Sequence, residues 1–147
     1  MVKGCEDFSA VVSSLGLCLT GGYAYPPIFY FKDLAEAFTA CTGMKTTEKS
    51  LRRTGERIAN LQRANNTREG LSRQDDTLPR RFLEEPSPDG PCKGQTVKLK
   101  PMLDEYYKTR GWDVETGLIP RKKLEELGLN DVADDLERRG KLPPTRN

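Results

Sequence analysis

Histidine is absent from all 147 residues. Its absence excludes a Ser-His-Asp triad, a Cys-His nucleophile and any zinc site built on imidazole. The four cysteines, Cys5, Cys18, Cys41 and Cys92, include no C-x-x-C pair. Their spacing is wide, and the N-terminal stretch MVKGCEDFSAVVSSLGLCL places two acidic residues soon after Lys3, a poor secretory signal. A disulfide framework is therefore not expected, and the sequence reads as cytoplasmic. No apolar run approaches the ~20 residues that span a bilayer, so no membrane partner is expected. A dominant charge is lacking as well: 24 basic and 22 acidic residues leave +2. So even a balance gives no global field to hold nucleic acid. Alternating strand patterns and internal repeats are also missing.

What is present is a lean, interrupted helical chain. Hydrophobic residues make up 35% and charged residues 31%, with 13 Gly and 10 Pro to punctuate the elements. One domain can bury a usable core at this length. Phe8, Val11, Val12, Leu15 and Leu19 recur at helical spacing, so a helix runs through residues 4–18 toward Gly16 and Cys18, with Gly21 and Gly22 breaking it. Tyr23 to Tyr30, with Pro26 and Pro27, reads as a packed loop. FKDLAEAFTACTG carries an apolar stripe of Leu34, Ala37, Phe38 and Cys41, and Gly43 suits a C-terminal cap. Thr46 or Thr47 caps a long basic helix whose thin apolar face is Leu51, Ile58 and Leu61. Residues 70–101 read as loop with one short helix near Arg80 to Glu84. Leu99, Met102, Leu103, Tyr106 and Tyr107 give the most regular helix, ended by Gly111. Pro120 opens a helix with Leu124 and Leu127 that Gly128 stops; Asn130 caps a last one with Val132, Ala133 and Leu136. The expectation is an all-α, mostly helical fold with long loops. It forms a single domain over residues 1–142, followed by a frayed tail at 143–147.

SSLGLC, residues 13–18, resembles the D-x-x-G-L-C motif of the tungsten-containing aldehyde ferredoxin oxidoreductases, near the start of their last helical domain. RTGERIANLQRANNTREGLSRQDDTLPRRFLEEP (residues 53–86), DGPCKG, LDEYYKTRGWD and LIPRKKLEELGL resemble later family segments, in the same order. The likeness covers nearly the whole chain. It implies the family's C-terminal helical domain, without the β-rich N-terminal domain or the C-x-x-C-x-x-x-C array that lie upstream in the family. The implied partners are those N-terminal and middle domains, in cis or in trans, with ferredoxin as acceptor. A homodimer is left open.

The same resemblance assigns candidate site residues. Cys18 matches the fourth ligand of the family's [4Fe–4S] cluster, which needs four thiolates or equivalent donors. Taken from spacing alone, Cys18 reads as a buried small hydrophobe, the commonest fate of a free cysteine, and the resemblance reverses that reading. Cys5 and Cys18 would sit about 20 Å apart on a continuous helix, too far to grip one cluster. Tungsten-bis-pterin and cluster are thus implied for the intact family protein, with no cofactor expected on this chain alone. Gly16, Leu17 and Leu19 match the pterin-contacting turn. Ser13 stands where the family usually has Asp, whose carboxylate accepts charge-assisted hydrogen bonds from pterin amino groups. Ala59 and Asn65 stand where the family has aromatic or apolar residues and read as lost core packing.

Three features read as structural. The adjacent carboxylates in Asp75 to Pro79 are expected to cap the short helix that follows. Cys41 and Cys92 read as packing or incidental. Arg52, Arg53, Arg57, Arg63, Arg68, Arg73, Arg80 and Arg81 interleave with Glu48, Glu56, Glu69, Asp75 and Asp76. That pattern suits an ion-paired face better than a nucleic-acid footprint. Two functional readings result. In one, the chain is a C-terminal piece of an aldehyde-oxidising tungstopterin iron–sulfur enzyme, contributing one cluster ligand and part of the pterin pocket, and inactive alone. In the other, it is a cofactor-free helical interaction module descended from that family.

Overall fold

The computed structural model describes residues 1–23 and 28–144. Part of the loop expected over Tyr23 to Tyr30 and the last three residues of the expected tail lie outside the described residues. Eight α-helices follow one another among the described residues: α1 (Val2–Ser14), α2 (Leu19–Tyr23), α3 (Phe31–Thr42), α4 (Glu48–Arg68), α5 (Arg80–Glu84), α6 (Leu99–Arg110), α7 (Arg121–Glu126) and α8 (Asn130–Arg138). No strand forms among those residues, so the all-α expectation holds.

Local chemistry explains most boundaries. The Thr47 hydroxyl accepts from the Ser50 amide and starts α4. Gly43 and Gly111 end α3 and α6 in the left-handed region, at φ of 73° and 72°. The first helix is shorter than expected: it stops at Ser14, and Gly21 and Gly22 lie inside α2 instead of breaking a helix. Gly21 is needed there because the Phe29 ring comes within 2.6 Å of where its Cβ would be. Leu129, not Asn130, is the N-cap of α8.

Two apolar clusters make the core, and α4 spans both. Its 21 residues extend about 31 Å at the usual helical rise. Near its start, Leu51 packs with Val11, Val12, Phe31, Leu34 and Ala35 from α1 and α3. Near its end, Ala64 joins Tyr107, Trp112, Ile119, Leu124, Ala133 and Leu136. Leu142 packs on this second cluster, so the segment after α8 is docked at least that far.

Between the clusters the buried face of α4 is polar, which corrects the expected Leu51, Ile58 and Leu61 stripe. Leu61 is 45% exposed, whereas Asn60, Arg63 and Thr67 are buried. Asn60 and Arg63 tolerate burial because partners are in place, whereas the Thr67 hydroxyl is buried without one. The Trp112 indole donates to Asn60 Oδ1 at 2.8 Å. Arg63 forks onto Asp76 at 2.8 and 2.7 Å and donates from Nε to the Gly117 carbonyl. On α3, Phe31, Leu34 and Ala35 are buried, while Ala37 and Cys41 face outward, so the stripe there is rotated from the expected one.

The carboxylates at 75 and 76 also depart from expectation. Asp75 closes a 3-10 turn by accepting from the Ser72 amide at 2.8 Å. Asp76 points the other way, to Arg63 and the Tyr107 phenol. Neither caps α5, whose N-cap is Pro79. Asn65 is exposed and accepts from Arg68 at 3.0 Å, so its polarity costs no core packing in this chain.

Candidate functional site

The site is built where α1 ends. Leu15 keeps helical geometry, and Gly16 turns the chain at φ 72°. The Leu17 amide then donates back to the Val12 carbonyl and the Gly16 amide to the Ser13 carbonyl, both at 3.1 Å. These paired bonds satisfy carbonyls that a helix end would otherwise leave open. A side chain at position 16 would meet open space, so glycine is required by the backbone angle and not by crowding.

The reversal projects the next two residues outward. Leu17 is 44% exposed, and the Cys18 thiol is exposed and outside any disulfide. Cys18 is therefore not the buried small hydrophobe that spacing alone allowed. Its sulfur accepts a hydrogen bond from the Thr20 hydroxyl, and the amides of Thr20 and Gly21 add to it; together they outweigh burial and hold the thiol below its ordinary pKa. Leu19 turns the other way, half-buried against the first apolar cluster, and anchors the start of α2.

Ser13, Gly16, Leu17 and Cys18 thus share one exposed end of α1, while Leu19 supports them from beneath. Cys5, Cys41 and Cys92 are exposed elsewhere, so Cys41 and Cys92 serve no core packing. No group of three or more His, Cys, Asp or Glu that could hold a metal gathers among the described residues. What the turn offers is a single exposed thiol on an open edge.

Sequence reasoning missed the buried ionic seam that fixes α1 in place. Arg110 is fully buried and donates to Asp7 Oδ1 and Glu6 Oε2, each at 2.5 Å, while its Nε reaches the Tyr106 phenol at 3.1 Å. The Lys3 ammonium holds the other Asp7 oxygen at 2.6 Å. Position 110 continues the Leu103 and Tyr107 face of α6 by one turn, which is the only trace of this role in the sequence. Of the basic residues in this stretch, Arg52, Arg63 and Arg68 pair with the interleaved acids Glu48, Asp76 and Glu69, whereas Arg73 and Arg80 pair with Asp104 and Glu84, and Arg53 and Arg57 donate to the Glu126 and Gly128 carbonyls.

Three clefts adjoin α1. One of about 480 Å³ includes Lys3, Asp7, Arg52 and Glu56 in its lining. A groove of about 710 Å³ runs along the outer face of α1, from Val2 through Cys5 and Ala10 to Ser13 and Ser14, with Ile58 and Gln62 of α4 opposite. It continues into a cleft of about 440 Å³ where Ala59 faces Met102 and Tyr106. No helix among the described residues is long and apolar enough to cross a membrane.

Residues 1–129 match the family model described as aldehyde ferredoxin oxidoreductase, domains 2 and 3. The chain is 46% identical over 125 residues to the tungsten-containing aldehyde ferredoxin oxidoreductase of Pyrococcus furiosus and 44% identical to that of Thermococcus kodakarensis. Each alignment covers 84% of this chain and 20% of the relative, so the chain spans about a fifth of the length of the proteins it matches. Among solved structures, a chain of the active-site complex BamBC of benzoyl coenzyme A reductase with 1,5-dienoyl-CoA superposes with a TM-score of 0.79. The two are 26% identical, over 98% of this chain and 21% of that one.

Proposed function

The chain belongs to the aldehyde ferredoxin oxidoreductase family, and we propose that it supplies one thiolate, Cys18, and one wall of the pterin pocket to a tungsten-containing enzyme of that kind. The observation that carries this reading is the exposed Cys18 thiol on an open turn, beside Ser13, Gly16 and Leu17. In such an enzyme Cys18 would help hold a [4Fe–4S] cluster and Ser13, Gly16, Leu17 and Leu19 a tungsten-bis-pterin, which would supply the oxidation of an aldehyde and water to a carboxylic acid, with two protons released and two electrons leaving to ferredoxin.

The chain's own residues support that role in distinct ways. Cys18 would be one of four donors to iron. The Thr20 hydroxyl and the nearby amides donate to its sulfur, which favours the thiolate and lowers the pKa of the thiol. The paired hydrogen bonds at Val12 and Ser13 hold the turn, so the sulfur is presented without a search through conformations. Leu19 ties the ligand to the core, giving it a rigid base. Ser13 would offer the pterin a neutral hydroxyl in place of the family's carboxylate, a weaker partner for amino groups. With one donor of four, the isolated chain has no catalysis of its own. The relatives' remaining four fifths would provide the rest, in cis or in trans.

A chimera tests this. The chain replaces the matching 125-residue segment of the Pyrococcus furiosus relative, and aldehyde-dependent dye reduction is followed. Activity that disappears on Cys18→Ala supports the ligand role, and activity that survives unchanged sinks it. The Ser13 departure favours a second reading, a cofactor-free interaction module. Its mark would be a chimera that assembles but stays colourless even after Ser13→Asp.

A further inference from the structure

Asp89–Gly90 is the one place in the sequence where an aspartate or asparagine precedes glycine. It lies in the long connection between α5 and α6, where every residue from Pro88 to Thr96 is exposed. An aspartate's carboxyl carbon lies within reach of the next residue's amide nitrogen, through a five-membered ring. A side chain on that next residue hinders the approach, and glycine has none. Elsewhere the nitrogen is engaged. The amides that follow Asp33, Asp75 and Asp76 donate to the Tyr30, Arg73 and Asp75 carbonyls. Asn60, Asn65 and Asp104 lie inside helices, where the next amide is bonded along the helix. By contrast, the Gly90 amide donates to no group among the described residues, and the Asp89 carboxylate accepts from none. Nucleophile and electrophile are adjacent, exposed and both unengaged.

We propose that Asp89 is a site of spontaneous isomerisation to L-isoaspartate, with the Ser87 hydroxyl directing the outcome. The Gly90 nitrogen bonds to the Asp89 carboxyl carbon, and a carboxyl oxygen departs as water, taking the amide hydrogen with it. Water then adds back at either carbonyl of the succinimide ring. Addition at the side-chain carbon returns aspartate. Addition at the main-chain carbon breaks the original peptide C–N bond, leaving Gly90 joined through the side chain and the main-chain carbon as a free carboxylate. The product is an isomer, so no oxidant, reductant or second substrate enters. Ser87 Oγ donates to the Asp89 main-chain carbonyl oxygen at 3.0 Å. That oxygen belongs to the carbonyl whose attack yields isoaspartate, so a donor there favours the isomer. The loop is closed at its base, with the Ser87 amide donating to the Gln95 carbonyl at 3.0 Å and the Gly94 amide to the Ser87 carbonyl at 2.9 Å. Isomerisation adds a carbon to the backbone within that loop and sets a new carboxylate on its exposed rim. An isoaspartate-specific carboxyl methyltransferase esterifies such a group with the methyl of S-adenosylmethionine.

The folded chain is incubated in warm, mildly acidic buffer. Isoaspartate is counted by enzymatic methyl incorporation and assigned to a position by peptide fragmentation in the mass spectrometer. Incorporation at position 89 is expected, with its loss in Asp89→Glu, whose ring would need a sixth member. The melting temperature of that variant stays unchanged, since the side chain is exposed and unpartnered. No residue from Glu85 to Lys98 is buried. The folded chain should therefore react within about tenfold of the urea-unfolded chain, as a segment does when its local opening costs little. In heavy-oxygen water, succinimide that returns to aspartate is counted as label. Ser87→Ala should lower the ratio of isoaspartate to labelled aspartate roughly two- to tenfold, the weight of one ordinary hydrogen bond. A loosened loop would change the total and not that ratio. The proposal is overturned by an absence of isoaspartate at position 89 in the folded chain, by protection far beyond that factor, or by equal isomerisation at another aspartate. An unchanged ratio in Ser87→Ala overturns the part assigned to its hydroxyl.

Discussion

Gly55 of α4 lies directly on the backbone carbonyl of Asp7 in α1, with no room for a Cβ between them. This close approach sets the distance between the helix that spans both cores and the helix that presents the candidate site. Backbone cannot swing aside as a side-chain tip can. Gly55→Ala therefore pushes α1 outward and costs at least 1–3 kcal/mol, about the cost of overpacking a core. Gly4, also helical, has nothing within 4 Å of its Cβ position, so Gly4→Ala gains up to about 1 kcal/mol from helix propensity. Chemical denaturation of the two variants should show opposite signs, and a harmless Gly55→Ala refutes the close packing.

Arg110 secures the same helix by charge. Replacing it with Met strips Asp7 and Glu6 of their shared buried partner. Breaking one side of a buried pair typically costs about 3–5 kcal/mol. The lower end is expected here because Lys3 still holds Asp7 at 2.6 Å and Glu6 is half exposed. The loss is read from the urea midpoint. The amides of α1 should also exchange faster than those of α8.

Stability should fall at high pH through two tyrosines. Burial, then donation to the Glu6 carboxylate, pushes the Tyr106 phenol up to about 12. Tyr107 is raised for the same first reason, with Asp76 as its acceptor. The unfolded chain loses these protons near pH 10. A folded pKa above the unfolded one gives stabilisation that is complete below about pH 10 and lost as pH climbs toward 12. Denaturation midpoints from pH 8 to 11.5 should stay level and then drop, and Tyr106→Phe should flatten part of the drop. A midpoint that rises across that window contradicts the assignment.

The Cys18 thiol should titrate below the ordinary thiol range, because the Thr20 hydroxyl stabilises its thiolate. Thr20→Val removes that donor and shifts the pH midpoint of Cys18 alkylation upward, whereas Thr20→Ser restores it. The measurement is made on the cluster-free chain, so it does not depend on any cofactor. Identical midpoints for the native and valine forms would show that the hydroxyl does not reach the sulfur.

Much of the helical plan was legible one residue at a time. Thr47, Gly43 and Gly111 mark ends through local bonds and left-handed backbone that neighbouring residues alone impose. The short helix at Arg80–Glu84 appears where it was expected. α2 was not legible, because Gly21 and Gly22 argue against a helix unless one knows that Phe29 occupies the space beside Gly21. The polar side of α4 was likewise hidden. Asn60 and Arg63 look like solvent residues until Trp112 and Asp76, 52 and 13 positions away, are brought against them.

By itself the sequence determined that the chain is helical and that it belongs with the C-terminal part of a known enzyme family, and it put forward positions 13–19 as the candidate site. Those are local patterns: period, caps and a short motif. Only the tertiary structure decided that the Cys18 sulfur faces outward while Leu19 faces the core, and that α1 is held by Gly55 and Arg110. Orientation and burial depend on which distant segments share a volume, and a residue carries no mark of its neighbours until the chain has packed.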